Sequence, residues 1–193
     1  MSSNYRGEQI PSHSQLLEFA EYVEGVFDYK RGFKINETIL DPETGDYRGY
    51  RFLSFGDSPP YNFMRYGETD FPAIYSFLED GVPVYISTTT GLVHRLRRHL
   101  FGNAHDASSL PFLIGREDMR RETGDRYSDI QNQFDFEKWC LPVQRRMRND
   151  WSFDAVRCEG SYYRAFAKVF LASRFTTKWN AFAGSTPGEK LVP

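Results

Sequence analysis

Two tyrosines followed by an arginine and a histidine form the pattern in this sequence that is best suited to chemistry. Tyr75 and Tyr85 are ten residues apart, and Arg95 and His99 are four residues apart. A guanidinium group is planar and can hold two oxygens of one phosphate, and a phenol or an imidazole can relay a proton. These residue types together suit phosphodiester hydrolysis.

The two tyrosines are predicted to lie on the adjacent strands of a β-hairpin. Residues 73–78 and 82–87 are rich in β-branched and aromatic residues, and an Asp-Gly turn separates them. Pro83 places the second strand at a sheet edge or marks its start. The apolar residues of 92–101 recur at helical spacing, so the arginine and the histidine share one face of a helix. The hairpin and the helix would therefore bring the four side chains to one pocket.

The remaining segments complete an α+β domain in the order β-β-α-α-β-α. Sequence periodicity and turn residues predict a helix over 15–27, a long ordered loop or small hairpin over 28–70, helices near 116–123 and 135–147, a strand over 151–158 and a helix over 161–174. Pro142 is expected to limit the second of the two middle helices. We expect an N-terminal extension over 1–71, a domain over 72–182 with an insertion at about 102–150, and a tail over 183–193.

Several short motifs stand in one register along the chain. They are Ala73-Ile74-Tyr75, Tyr85-Ile86-Ser87, Thr89, Leu92, Arg95, His99 and, after a strand and a helix, Trp179-Asn180. This pattern resembles the GIY-YIG nuclease superfamily and is closest to its type II restriction endonuclease branch. The resemblance implies a small antiparallel sheet flanked by helices, and site-specific hydrolysis of double-stranded DNA.

The resemblance also implies roles for individual residues. Tyr75 or Tyr85 would help to activate water, Arg95 would steady the phosphate charge beside His99, and Asn180 would support this reaction centre. One divalent ion at each site, Mg²⁺ or Mn²⁺, would polarise the phosphate. The resemblance thus implies a divalent-metal-dependent endonuclease.

Three positions depart from the family pattern. Ala73 and Ser87 replace glycines and are the smallest replacements. Lys168 stands where the family carries the Glu that binds the metal, and an ammonium group cannot ligate Mg²⁺. Three explanations stay open: the lysine was introduced to silence a toxic nuclease, Glu159 supplies the carboxylate instead, or a natural degenerate has kept phosphate binding and lost hydrolysis.

Lys168 therefore has two alternative interpretations of its own. In a degenerate domain its ammonium group would contact phosphate, whereas in the simplest interpretation it is a solvated surface lysine. We expect an endonuclease that Lys168 impairs. The alternative is a catalytically inactive DNA-binding protein with the same fold.

Charge is unevenly distributed along the chain. The first 70 residues hold 7 basic and 12 acidic side chains, whereas the remaining residues hold 17 and 14. The second part therefore predicts a surface for phosphate contacts, with candidates Thr89, Arg97, Arg98, Arg145, Arg146, Arg148, Arg164 and Lys178. Double-stranded DNA is the expected partner, and a symmetric homodimer would suit cleavage of both strands at a palindrome.

The sequence argues against several other classes of protein. Two cysteines, Cys140 and Cys158, make neither a disulfide framework nor a zinc motif, and we expect both to be packed thiols. No P-loop, G-x-S-x-G or dinucleotide-binding motif occurs. No apolar run approaches the roughly 20 residues that span a bilayer, and the N-terminus lacks the features of a signal peptide. We therefore expect a soluble cytoplasmic protein without a membrane partner.

Overall fold

The computed structural model describes residues 9–27, 32–41, 43–47, 69–104, 109–124 and 134–180. The strands in these residues are β1 Phe33–Lys34, β2 Ala73–Glu79, β3 Val82–Thr89 and β4 Ser152–Arg157. They form one antiparallel sheet in the order β1-β4-β2-β3. The helices are α1 His13–Val26, α2 Ile35–Thr38, α3 Leu92–Phe101, α4 Ser109–Thr123, α5 Phe136–Asp150 and α6 Ser161–Arg174. The predicted α+β class, a small antiparallel sheet flanked by helices, is confirmed.

The β2–β3 hairpin turns at Asp80 and Gly81, as the Asp-Gly pair predicts. Both residues have positive φ, 53° and 76° respectively. Two successive left-handed residues make the tight turn whose twist matches that of the flanking strands, and Gly adopts this conformation without strain. Pro83 is the second residue of β3, which is an edge strand, and so lies where a missing N–H is tolerated.

The register of the hairpin places the predicted site residues on one face of the sheet. Tyr75 is opposite Ser87, and Phe77 is opposite Tyr85. Directly opposite residues in an antiparallel pair point to the same face. The register shifts after Phe77, so Val84 has no partner on β2 and forms a β-bulge.

The two faces of the sheet carry separate hydrophobic clusters because neighbouring residues of a strand point to opposite faces. The face that bears the tyrosines packs against α3, α4 and α5, with Leu96, Leu100, Ile114, Val143, Met147 and Trp151 among the buried residues. The opposite face packs against α1 and α6, with Ile74, Ile86, Val156, Val23, Ala167 and Leu171 among the buried residues. The sheet is therefore covered on both sides.

Three predicted helices are found close to their predicted bounds. Those over 92–101 and 161–174 have the predicted ends, and the helix predicted over 15–27 spans His13–Val26. Ser12 accepts the N–H of Gln15 and in turn donates its own N–H to the Gln15 side chain. This reciprocal capping box explains the earlier start of α1.

The two middle helices are longer than the sequence predicts. α4 begins at Ser109 rather than near 116, and Pro111 lies in its first turn, where no intrahelical N–H is needed. α5 continues through Pro142 to Asp150, so the expectation that this proline limits the helix was wrong. A stripe of buried residues, which includes Val143 and Met147, packs α5 against the core on both sides of the proline. Tertiary packing therefore outweighs the local cost of the proline.

The remaining predictions are met in part or lie outside the described residues. Residues 32–47 form β1, α2 and an isolated bridge between Leu40 and Tyr47, whereas 28–31, 42 and 48–68 lie outside the description, as does the tail over 181–193. Both cysteines are buried and unbonded to one another, as expected of packed thiols. Among the described helices, none has the length and apolar character needed to cross a membrane.

Candidate functional site

Four of the residues predicted to act together lie together between the hairpin and α3. The Tyr75 hydroxyl is hydrogen-bonded to Nε2 of His99 at 2.9 Å and accepts a hydrogen bond from Nε of Arg95 at 3.3 Å. The ring centroid of Tyr85 is 6.4 Å from that of Tyr75 and 6.0 Å from that of His99. One hydrogen-bonded aromatic cluster therefore joins the two elements.

The local sequence explains why these side chains meet. The strand register directs both tyrosines to the face that α3 covers. On α3, the arginine and the histidine are one turn apart, beside an apolar stripe of Leu92, Leu96 and Leu100. Burial of that stripe against the sheet turns the polar pair toward the tyrosines.

Burial keeps the centre of the cluster uncharged. Tyr75 and His99 are both fully buried. Burial and the Tyr85 hydroxyl raise the pKa of Tyr75 well above its usual range, although Arg95 opposes them. Burial and neighbouring arginine cations hold the pKa of His99 well below its usual range. At neutral pH both side chains are neutral, so they act as hydrogen-bonding partners and not as carriers of charge.

Arg95 connects this cluster to the solvent and to α4. Its Nη2 donates a hydrogen bond to Oγ of Ser109, the first residue of α4, at 2.6 Å. Burial lowers the pKa of Arg95, but the hydroxyls of Tyr75 and Tyr85 outweigh burial, and the net shift is upward. Arg95 is therefore a cation whose position is set by β2 and by α4.

An open cleft of about 620 Å³ lies where the end of β3, the start of α3 and the start of α6 meet. It is lined by Asp70, Thr88, Thr89, Thr90, Gly91, His94, Arg95, Arg98, Ser161, Arg164 and Ala165. Arginines and hydroxyl groups dominate this lining. Such a donor-rich surface suits an anion with several oxygens.

The acidic side chain of the cleft, Asp70, is occupied by backbone groups. Its Oδ1 accepts hydrogen bonds from the N–H groups of Phe71 at 2.9 Å and Val93 at 2.8 Å, and its Oδ2 accepts one from His94 at 3.0 Å. Asp70 thereby caps the start of α3. Gly91 permits this approach, because a Cβ at that position would lie 2.6 Å from Oδ2.

Lys168, at the position that the resemblance gives to a metal ligand, is not among the residues that line the cleft but lies one turn further along α6. It follows the cleft residue Arg164 by four residues, and residues four apart are neighbours on one helix face. The side chain is half-buried. Within the described residues it has no hydrogen-bond or ion-pair partner.

Glu159, the weaker candidate for a metal ligand, is engaged by a neighbouring arginine. Its Oε1 accepts hydrogen bonds from Nε of Arg157 at 2.8 Å and from Nη2 at 2.5 Å. No group of three His, Cys, Asp or Glu side chains that could hold a metal ion occurs in the described ranges. Mg²⁺ and Mn²⁺ need at least one protein carboxylate beside their water ligands, and here Asp70 and Glu159 are both engaged while position 168 is a cation, so these residues do not fit the ion that the resemblance implies.

Asn180 is hydrogen-bonded to the edge of β3 that faces away from β2. Its Oδ1 accepts the N–H of Ile86 at 2.7 Å, and its Nδ2 donates to the Ile86 carbonyl at 2.6 Å. The N–H of Trp179 donates to the carbonyl of the bulge residue Val84 at 3.0 Å, and the Thr177 hydroxyl donates to Asn180 at 2.7 Å. The segment 177–180 thus covers the outer edge of the strand that carries the second tyrosine, and Asn180 is a positioning residue.

The predicted phosphate-binding residues fall into two groups. Thr89, Arg98 and Arg164 line the cleft. The others lie outside its lining: Arg97, Arg145, Arg146, Arg148 and Lys178. Arg146 is 3.6 Å from Glu79, and Arg148 donates a hydrogen bond to the carbonyl of Leu100 at 2.5 Å. Only the first group shares one concave surface with Arg95.

Sequence reasoning missed two residues that shape the site. Asp70 lies 23 residues before the Val93 N–H that it binds, and Ser109 lies 14 residues after Arg95. Asp70 precedes the hairpin, and Ser109 begins α4 within the insertion, so neither stands at a spacing that belongs to α3 itself. No local periodicity signals such contacts.

No protein-family model, curated protein or solved structure matches this chain. What the chain does must therefore be inferred from its own residues. The buried cluster, the arginine-lined cleft and the lysine on α6 are the features that bear on function.

Proposed function

We propose that this protein binds the phosphodiester backbone of double-stranded DNA in the cleft. The observation that carries the proposal is the convergence of Arg95, Arg98 and Arg164 on one open surface. Arg95 is hydrogen-bonded to the hydroxyls of Tyr75 and Ser109, and Arg164 to backbone carbonyls, so these contacts leave the positive charge of both side chains in place. Arginine is the side chain that best matches phosphate oxygens.

The construction of the α3 side of the cleft supports this proposal. Tyr75 and Ser109 hold Arg95 from two elements, so its guanidinium group is positioned before a ligand arrives. A side chain that is already ordered loses less conformational entropy on binding. The resemblance to the GIY-YIG nuclease superfamily, carried by the hairpin and α3 motifs, favours DNA as the polyanion.

We propose as a second function site-specific, divalent-metal-dependent cleavage of double-stranded DNA, impaired in this chain by Lys168. The observation that favours it is the place of position 168 one turn after Arg164, which lines the cleft. A carboxylate there would lie on the same face of α6 as Arg164. Within this proposal Arg95 binds phosphate and is held by Tyr75, which is in turn hydrogen-bonded to His99. A homodimer would cut both strands.

Binding of a fluorescently labelled DNA duplex, followed by anisotropy across a salt series, tests the first function. Arg98→Ala should weaken binding to unrelated duplexes about equally and reduce the slope of log affinity against log salt by about 1. Arg145→Ala removes the same charge from an exposed position on α5 and should leave the slope unchanged. Equal losses in the two variants would refute binding in the cleft.

Nicking and linearisation of plasmid DNA with Mg²⁺ or Mn²⁺ test the second function. Lys168→Glu should cut, whereas the unchanged chain and the exposed control Lys138→Glu should not. If the unchanged chain cuts, a different carboxylate holds the metal, and Glu159→Gln should abolish that activity. If Lys168→Glu binds DNA and does not cut, the endonuclease proposal is refuted and DNA binding stands.

A further inference from the structure

Lys168 stands one turn after the cleft-lining Arg164, at the position where the family pattern places a metal ligand. Asp70, which lines the cleft, is engaged by backbone N–H groups, and Glu159, two residues before the cleft-lining Ser161, is engaged by Arg157. A divalent ion would gain few oxygen ligands there and would be repelled by Lys168. The charge that a metal ion would supply to a phosphate must therefore come from side chains.

Lys168 and Arg164 form a pair of like charges one turn apart on α6. Nη1 of Arg164 donates to the carbonyls of Cys158 and Glu159, both at 2.7 Å, so its guanidinium group is held at the start of the helix. Lys168 is half-buried and has no anionic partner in the described residues. Like charges four residues apart repel each other, and an anion between them would relieve that repulsion.

We propose that Lys168 replaces the divalent ion in substrate binding, so that this chain binds DNA backbone phosphate without Mg²⁺ or Mn²⁺. The inference rests on the proposed binding of DNA in the cleft. The ammonium group contacts the phosphate from the α6 side, together with Arg164, while Arg95 contacts it from the α3 side. Three cationic side chains from two helices then supply the positive charge that a metal ion would otherwise bring to the phosphate.

Anisotropy of a labelled DNA duplex at constant ionic strength, in EDTA and in Mg²⁺, tests this inference. The unchanged chain should bind at least as tightly in EDTA as in Mg²⁺. Lys168→Met keeps the apolar stem and removes the charge, so binding should weaken about 10-fold in both buffers. The slope of log affinity against log salt should fall by about 1.

Three further variants make the test specific. Lys168→Arg keeps the charge and should bind like the unchanged chain. Lys168→Glu should bind weakly in EDTA and regain affinity in Mg²⁺, because its carboxylate can ligate the ion. Lys138→Met, a control on α5, removes an exposed ammonium group that is paired with Glu122 of α4, and it should change neither affinity nor slope.

The outcomes separate this inference from the function on which it rests. Tighter binding of the unchanged chain in Mg²⁺ than in EDTA would overturn the role of Lys168. The same follows if Lys168→Met keeps its affinity and slope while Arg98→Ala weakens binding, and DNA binding in the cleft then stands. If the folded, unchanged chain binds no duplex in either buffer, both proposals fail. Circular dichroism melts establish that each variant is folded.

Discussion

The two helical walls of the cleft are built in different ways. On the α3 wall, Arg95 bonds to the hydroxyl of Tyr75, which also bonds to the buried His99. On the α6 wall, Arg164 bonds to backbone carbonyls, and Lys168 has no partner in the described residues. A change at Tyr75 or His99 must disturb the core, whereas a change at position 168 alters mainly the charge beside the cleft. The buried part of the site is therefore separable from the charge on α6.

The largest expected effect is a loss of stability on substitution of Tyr75, which lies on β2 and packs beneath α3. Tyr75→Ala removes a fully buried ring and should lower the free energy of unfolding by about 3–5 kcal/mol, because the surrounding residues cannot fill the space. Lys168→Ala should change it by less than about 0.5 kcal/mol. Urea unfolding measures both. Similar losses in the two variants would contradict the contrast between the walls.

Acidification should also lower the stability of the fold, through the buried His99 on α3. The unfolded chain protonates its histidines near pH 6.5, whereas buried His99 stays neutral to lower pH. Between these two pKa values the unfolded state binds the extra proton, so stability falls as the pH falls, by up to about 1.4 kcal/mol per unit. His99→Gln should flatten this dependence in chemical unfolding, and an unchanged dependence would contradict the role of His99.

Ser109→Ala tests whether the insertion sets the position of Arg95. Loss of the 2.6 Å hydrogen bond should lower the free energy of unfolding by about 1 kcal/mol. DNA binding should weaken by about 2- to 5-fold, because the guanidinium group is then less ordered before binding. Anisotropy and urea unfolding measure the two effects. A loss of stability without any change in affinity would show that the orientation of Arg95 does not matter for binding.

The smallest expected change in stability comes from Thr176, two residues beyond the end of α6. Thr176 has a φ of 47°, in the left-handed region that β-branched residues disfavour. Thr176→Gly should raise the free energy of unfolding by about 0.5–1 kcal/mol, since the relief of strain exceeds the greater freedom of the unfolded chain. DNA affinity should not change. Thermal unfolding and anisotropy check the two expectations, and a lower melting temperature would contradict the first.

Much of the fold could be predicted where the signal is local. The Asp-Gly turn, the apolar stripe of α3 and the bounds of α6 depend on neighbouring residues, and all three were predicted. The continuation of α5 through Pro142 could not be predicted, because it depends on packing of the helix against the core. The start of α4 at Ser109 was missed although Leu110 and Ile114 stand four residues apart, because Pro111 and Gly115 are residues that usually interrupt helices.

The same distinction between local and tertiary signals applies to the candidate site. Helical spacing and strand register were enough to bring Tyr75, Arg95 and His99 together in the prediction. The contacts that set the electrostatics of the cleft, from Asp70 to α3 and from Arg95 to α4, join separate elements. Such contacts follow from tertiary structure, which short sequence patterns do not encode.

The cover that residues 177–180 place over β3 bears on aggregation by strand pairing. An uncovered edge strand offers unpaired N–H and C=O groups to the strands of other molecules. Here Trp179 and Asn180 occupy three such groups, on Val84 and Ile86. A chain that stopped before Thr177 would present that edge to its neighbours, and we expect it to form aggregates through intermolecular strand pairing.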